Sequence, residues 1–276
     1  MKPIIKWVGG KRELCPKIRE LMPSTYNKYY EPFLGGGAVL LDLCPEEAVV
    51  NDINPELINM YLQIRDNVEW VIIDLTKFDM LHDADPEPKL LYYDIRNDFN
   101  KCLGSNTPTQ AARFIYLNKH CFNGLYRVNS KGEFNVPFNG KLSGGSFDAD
   151  HLREISKQIQ GVEFTCCDFT QVLAAAYSEE DSLVYLDPPY DPDEDIKTDG
   201  FVAYQKGGWN RHDTERLKSI CDDLTVRGCK VILSNNDTAF IRNLFKDYNI
   251  HEVDVRRSIN RNGDDRKGKE VIITNY

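Results

Sequence analysis

The stretch KYYEPFLGGGAVLLDL, residues 28–43, passes from an aromatic-rich run through three consecutive glycines into a helical apolar pattern. Residues 28–33 read as a short strand. The glycines read as a turn that bends the backbone sharply and lets a ligand approach it below a helix N-terminus. The next segments repeat the theme: AVVNDIN (48–54) reads as a strand closed by Asp52, and PELINMYLQIRDN (55–67) has helical apolar spacing. Strand, helix, strand, helix is the rhythm of a parallel sheet.

From about residue 68 to 155 that rhythm breaks. Helices are expected around 90–103 and 108–120, followed by LYRVNSKGEFNVPF (125–138), two strand-like runs about the turn NSKG that read as a hairpin. NGKLSGGSFD (139–148) then reads as a loop. Strand signals resume with VEFTCCDF (162–169), SLVYLD (182–187) and CKVILS (229–234). DTERLKSICDDL (213–224) supplies a helix with Asp213 as its expected N-cap. IHEVDV (250–255) and KEVIITNY (269–276) are expected to pair as the closing strands. There is no internal repeat and no low-complexity segment. The expectation is an open α/β sheet carrying an inserted module.

The composition fits that size of fold. The chain has 276 residues, 41% hydrophobic and 28% charged, enough to bury a core without disulfide staples. Its apolar runs, such as VLAAAY (172–177), fall far short of a membrane span, and MKPIIKWVGG lacks the apolar centre of a signal peptide. A cytoplasmic, monomeric protein without membrane contact is expected. Eight cysteines include no CxxC pair, and five histidines show no metal-ligand spacing, so reduced thiols and no metal are expected. The net charge of −9 speaks mildly against a polyanion, but its distribution does not. Residues 256–269 hold six basic and two acidic residues; Arg113, Lys119, Arg127, Lys131 and Lys141 face only Glu133 over residues 113–141. Each block carries a local charge of +4.

Three motifs carry chemistry. The glycine turn is followed seventeen residues after Gly35 by Asp52 at a strand end, where a carboxylate can accept hydrogen bonds from ribose hydroxyls. Leu40 stands where the dinucleotide fingerprint wants its third glycine, which favours an adenosine-bearing ligand without necessarily a pyrophosphate. KWVGGK (6–11) pairs Trp7, suited to a flat group, with Lys11, suited to a carboxylate or phosphate, although a plain surface turn uses the same residues. DPPY (187–190) follows an apolar strand, the place where open α/β sheets bind ligands. An exocyclic amine on a base is a poor nucleophile because its lone pair is delocalised into the ring. A carboxylate accepting one N–H and a fixed carbonyl accepting the other return electron density to that nitrogen. Prolines hold such a carbonyl and offer no competing N–H. Asp187 is therefore the expected polarising acceptor, Pro188 the carbonyl scaffold and Tyr190 the stacking platform.

In this order, KWVGGK, EPFLGGGAV, NDIN, FNGLYRVNSKGEFNVPF, CDF, DPPY and RRSINRNGDDR resemble the Dam-type, class D12 DNA adenine-N6 methyltransferases of the α-group, over nearly the whole chain. The resemblance implies a Rossmann-like, mostly parallel methyltransferase sheet with an inserted, mainly helical target-recognition domain carrying a β-hairpin. Residues 1–55 plus 160–276 would form the catalytic domain and 56–159 the target-recognition domain. It further implies S-adenosylmethionine as cofactor, without a metal. Trp7 and Lys11 would line its methionine end, Phe33, Gly35 and Gly37 its floor, Asp52 its ribose, and Asp168 and Phe169 its adenine. Asp187 and Tyr190 would lie between cofactor and target base.

The partner so implied is double-stranded DNA read at GATC, with the base flipped out because it cannot otherwise reach a buried pocket. Arg127 would read a guanine through O6 and N7. Leu125 would wedge into the duplex, Phe122 and Asn123 would support the opened pair, and Asn129, Asn135 and Pro137 would complete the hairpin contacts. Lys6 and Lys119 would meet backbone or flanking DNA. Two stretches depart from the family pattern: NGKLSGG after NVPF, and the acidic DPDEDIKTDGFVAY beyond DPPY, whose FVAY resembles a loop over the active site. Other readings remain: a methyltransferase acting on another DNA target sequence, or on RNA or protein glutamine, although glutamine methylators resemble NPPY and need no wedge, and a DNA-binding regulator that has lost catalysis.

Overall fold

The computed structural model describes residues 1–177, 181–191, 208–256 and 267–276. The FVAY stretch, most of RRSINRNGDDR and much of the 256–269 basic block lie outside the described residues. Elements follow in the order α1 (Cys15–Glu20), β1 (Tyr29–Glu31), α2 (Ala38–Leu43), β2 (Ala48–Asn51), α3 (Pro55–Ala84), α4 (Pro88–Lys101), α5 (Pro108–His120), α6 (Ala149–Gln158), β3 (Val162–Thr165), α7 (Phe169–Ala176), β4 (Leu183–Leu186), α8 (Arg211–Val226), β5 (Lys230–Asn236), α9 (Ala239–Leu244), β6 (Asn249–Arg256) and β7 (Lys267–Thr274). The seven strands are ordered β3-β2-β1-β4-β5-β7-β6. The fold is α/β with a mostly parallel sheet, as expected. The chain divides into two compact units, one of residues 1–12, 35–44 and 52–166, the other of 13–34, 45–51 and 167–276.

In the second unit β1 is the pivot of the sheet. It runs parallel to β2, with Tyr29 opposite Ala48, and parallel to β4, with Tyr29 opposite Leu183. β4 runs parallel to β5, whereas β7 is antiparallel to both β5 and β6. The expected closing strand pair is therefore present. Strands β1, β2 and β4 are buried at every position, which explains why they read as continuous apolar or aromatic runs rather than as alternating ones. Strand order reverses between β1 and β4, the switch point beyond whose carboxyl ends such sheets place ligands. A core of Tyr30, Val184, Leu186, Leu217, Leu224, Val231, Phe245 and Ile273 packs the sheet against its helices.

The first unit is mainly helical. Asn54 and Thr107 cap α3 and α5 by accepting backbone N–H groups, and Pro55 and Pro108 follow as the first helical residues. α3 extends well past the expected 55–67, to Ala84, because the chain continues through a kink at Asn67 (φ −139°, ψ 33°). The hairpin exists in a reduced form. Its arms meet at isolated antiparallel bridges, Val128 with Phe134 and Cys121 with Phe138, rather than in a ladder. One correction concerns α8: Asn210 is the N-cap, and Asp213 is the third helical residue, closing a capping box by accepting from the Asn210 backbone at 3.0 Å.

NGKLSGG is held down by a buried polar cluster on α3 and α5. Ser146 donates to Asp79 and lies 3.1 Å from His120 Nε2, while His82 stacks on His120 at 4.1 Å and contacts the Tyr116 hydroxyl at 2.8 Å. Burial first, then the neighbouring His82 and Lys119, push the His120 imidazole down to about 4. The unfolded chain, titrating near the ordinary value of about 6.5, takes up this proton first. The stabilisation is therefore complete above about pH 6.5 and is lost as pH falls toward 4, by about 3 kcal/mol. Replacing His120 with Gln should flatten unfolding free energy against pH over that window, as measured by urea titration.

Candidate active site

In the first unit Asp52 ties the glycine turn to Asn54. One of its carboxylate oxygens accepts from the Gly35 N–H at 2.9 Å and the other from the Asn54 N–H at 2.9 Å. Burial raises the Asp52 carboxyl, opposed by these backbone donors and that of Ile53. Gly35 (φ +49°) and Gly37 (φ +64°) both occupy the left-handed region that favours glycine. Trp7 lies against this turn so closely that a Cβ on Gly35 would sit 2.9 Å from its Cδ1. Gly35→Ala should therefore cost about 1–3 kcal/mol from strained backbone and a displaced indole, read as a lowered melting temperature. Lys11 is buried and donates to the Gly9 carbonyl.

In the second unit Asp187 directly follows β4 and is half-buried, with Pro188 buried behind it. The Tyr190 hydroxyl donates to Glu270 on β7 at 2.9 Å; burial and the charges of Asp187 and Glu270 push that phenol well above its ordinary range. Asp191 anchors the exit of the motif. Its buried carboxylate accepts from Arg211 Nε at 2.9 Å and Thr238 Oγ1 at 2.9 Å, and its backbone bonds to Asn235 and Asn236. Beside this, Phe33 and Phe169 lie 5.3 Å apart, and Trp209 meets each at 5.5 Å. Asp168 caps α7 and pairs with Arg216 at 3.0 Å. Burial raises its carboxyl, but Thr170 and Arg216 outweigh this and hold it below the usual range.

Of the expected DNA-facing residues, Lys6, Lys119, Phe122, Asn123, Arg127 and Pro137 are exposed, and Leu125 is half-buried. Arg127 Nε donates to the Asn135 side chain at 2.8 Å. Asn129 builds the turn: its Oδ1 accepts from the backbones of Lys131 and Glu133, and its amide donates to Glu133. Asn123 sits at φ +56°. The sequence reading missed Trp209, Glu270 and Arg211. Trp209 alone stood in a legible place, two residues ahead of α8; the other two are set by pairing across the sheet and its loops.

A parallel sheet with a glycine turn after β1, an acid beyond β2 and an acid–proline turn after β4 defines a Rossmann-like methyltransferase architecture. The family model of the D12 class N6 adenine-specific DNA methyltransferases matches residues 7–259, and the chain belongs to this family. It is 38% identical to the type II methyltransferase M.MjaIII of Methanocaldococcus jannaschii, over 100% of this chain and 99% of that protein. It is 37% identical to the type II methyltransferase M1.LlaDCHI of Lactococcus lactis, over 100% of this chain and 96% of that one. It is 36% identical to a DNA adenine methylase of Haemophilus influenzae, over 98% and 92% of the two chains. Among the described residues no helix is long and apolar enough to cross a membrane.

Proposed function

We propose that this enzyme transfers a methyl group from S-adenosylmethionine to the N6 amine of an adenine flipped out of duplex DNA, within GATC. The observation that carries the reading is the Asp187–Pro188–Pro189–Tyr190 turn at the end of β4, where strand order reverses, with the tyrosine tethered to Glu270. The residues fit an adenosine ligand. In the first unit Asp52 offers a carboxylate for ribose hydroxyls; in the second, taken by itself, Phe33, Phe169 and Trp209 offer flat surfaces for a purine. Trp7, Lys11, Gly35 and Gly37 serve the methionine end and the floor, and Asp168 assists at the adenine.

Bound S-adenosylmethionine supplies a methyl already activated on a sulfonium, so its in-line transfer calls for no metal. Asp187 accepts one N–H of the adenine amine, a carbonyl held by Pro188 accepts the other, and Tyr190 fixes the angle of the base. The N6 lone pair would form the new N–C bond as the methyl–sulfur bond breaks and S-adenosylhomocysteine leaves, and the surplus N6 proton would then pass by way of the Asp187 carboxylate to water. Residues 56–159 serve as the target-recognition domain, residues 1–55 and 160–276 as the catalytic one. Arg127 reads a guanine and Leu125 wedges the duplex; Phe122, Asn123, Asn129, Asn135 and Pro137 complete the hairpin contacts, and Lys6 and Lys119 meet the backbone.

Incubation with methyl-labelled S-adenosylmethionine and duplexes with or without GATC tests the reading. Label on adenine N6 in the GATC duplex is expected. Folded protein that labels no adenine-containing DNA overturns it.

A further inference from the structure

Tyr126 stands between Leu125 and Arg127 in the first arm of the hairpin, yet its side chain belongs to the glycine turn. Its ring stacks on Trp7 at 5.5 Å and 29°. That same indole lies 2.9 Å from where a Cβ on Gly35 would be, and the Trp7 Cβ lies 3.0 Å from where one on Gly36 would be. The Tyr126 hydroxyl also interacts with the side chain of Asn54, whose backbone N–H holds Asp52. A second tie runs parallel to the first. Buried Asn118 accepts from the Lys6 N–H at 2.9 Å and donates to the carbonyls of Lys6 at 2.8 Å and Gly124 at 3.1 Å. Gly124 packs so tightly on Lys6 that a Cβ there would lie 2.7 Å from its side chain. The segment carrying Trp7 and the arm carrying Leu125 and Arg127 are thus joined at two places, Trp7 with Tyr126 and Lys6 with Gly124 by way of Asn118.

We propose that Tyr126 is a positioning residue that couples cofactor binding to DNA reading, by holding Trp7 over the glycine turn while setting the direction of the Leu125–Arg127 arm. The inference rests on the function proposed above. A ligand that presses on Trp7 biases the position of Tyr126, and a duplex that presses on the arm biases Trp7. Such coupling is reciprocal, typically about 5- to 150-fold in affinity. A merely structural tyrosine would weaken both ligands and leave their mutual effect unchanged.

The test is a closed binding cycle by calorimetry: S-adenosylhomocysteine with and without a GATC duplex, on wild type, Tyr126→Phe and Tyr126→Leu. Leucine keeps most of the volume, so the fold survives, but it removes the stack. The duplex should tighten S-adenosylhomocysteine binding about tenfold in wild type. The phenylalanine variant should keep most of that factor, and the leucine variant should fall below about twofold, with the same loss seen when DNA binding is measured instead. A wild-type factor of one, or an undiminished factor in Tyr126→Leu, overturns the inference while methyl transfer by wild type leaves the parent function standing. Wild type that neither binds S-adenosylhomocysteine nor transfers methyl contradicts both.

Discussion

Replacing Asp187 with alanine should reduce single-turnover methyl transfer about a thousandfold, while leaving most cofactor binding in place. The residue sits immediately after β4, with Pro188 buried and Asp191 anchored by Arg211 and Thr238, so the turn keeps its shape when one carboxylate is removed. What is lost is the acceptor for one amine hydrogen. Without it the nitrogen lone pair stays in the purine ring, and the cost falls on the chemical step rather than on binding. Asp187→Asn, which keeps an acceptor oxygen but loses the charge, should fall between wild type and alanine. Single-turnover kinetics with labelled cofactor separate these outcomes from a defect in product release. Normal turnover in Asp187→Ala removes this residue from the mechanism.

The second large effect is expected at Arg127. Its Nε is held by the Asn135 side chain at 2.8 Å and its Nη2 lies 3.5 Å from the Asn135 carbonyl, which orients an exposed guanidinium. A bidentate contact to guanine O6 and N7 is worth about 1–3 kcal/mol of discrimination. Arg127→Ala should therefore relax preference for that guanine by about 5- to 150-fold in kcat/KM, without lowering the rate on other sequences to the same degree. Substituting 7-deazaguanine in the duplex should harm wild type and leave Arg127→Ala nearly indifferent. Equal losses on every sequence would assign Arg127 to the phosphate backbone instead. Asn135→Ala should show a weaker version of the same phenotype, because it frees the arginine without removing it.

Much of this was legible from the residues because the relevant signals are local. Three glycines, an aspartate closing a strand, Asn54-Pro55 and Thr107-Pro108 each specify their own backbone within a few positions. The buried parallel strands announced themselves as apolar runs that end in an acid. The full length of α3 was less visible, since the chain passes through non-helical angles at Asn67 and continues. At α8 two capping residues three apart competed for one role, and Asn210 took it by accepting the N–H groups of His212 and Asp213. The hairpin's arms are joined by a few backbone bonds, Asn129 N–H to the Glu133 carbonyl at 2.9 Å and Asn135 N–H to the Arg127 carbonyl at 3.0 Å, while the Asn129 side chain builds the turn.

The partners of the candidate site lay beyond sequence reading for a different reason. Glu270 reaches Tyr190 across eighty positions, and Trp209 joins Phe33 and Phe169 from the start of another helix. No periodicity encodes such pairs; only strand order does. The same holds for Tyr126, which the hairpin pattern placed between Leu125 and Arg127 but whose ring packs on Trp7.

The most direct test of the central claim is a crystal structure of the chain with a cofactor analogue and a GATC duplex. That structure should show the target adenine outside the helical stack, its N6 within about 3 Å of an Asp187 carboxylate oxygen, and the Tyr190 ring parallel to the purine. An adenine still paired in the duplex, or an Asp187 side chain directed away from N6, would contradict it.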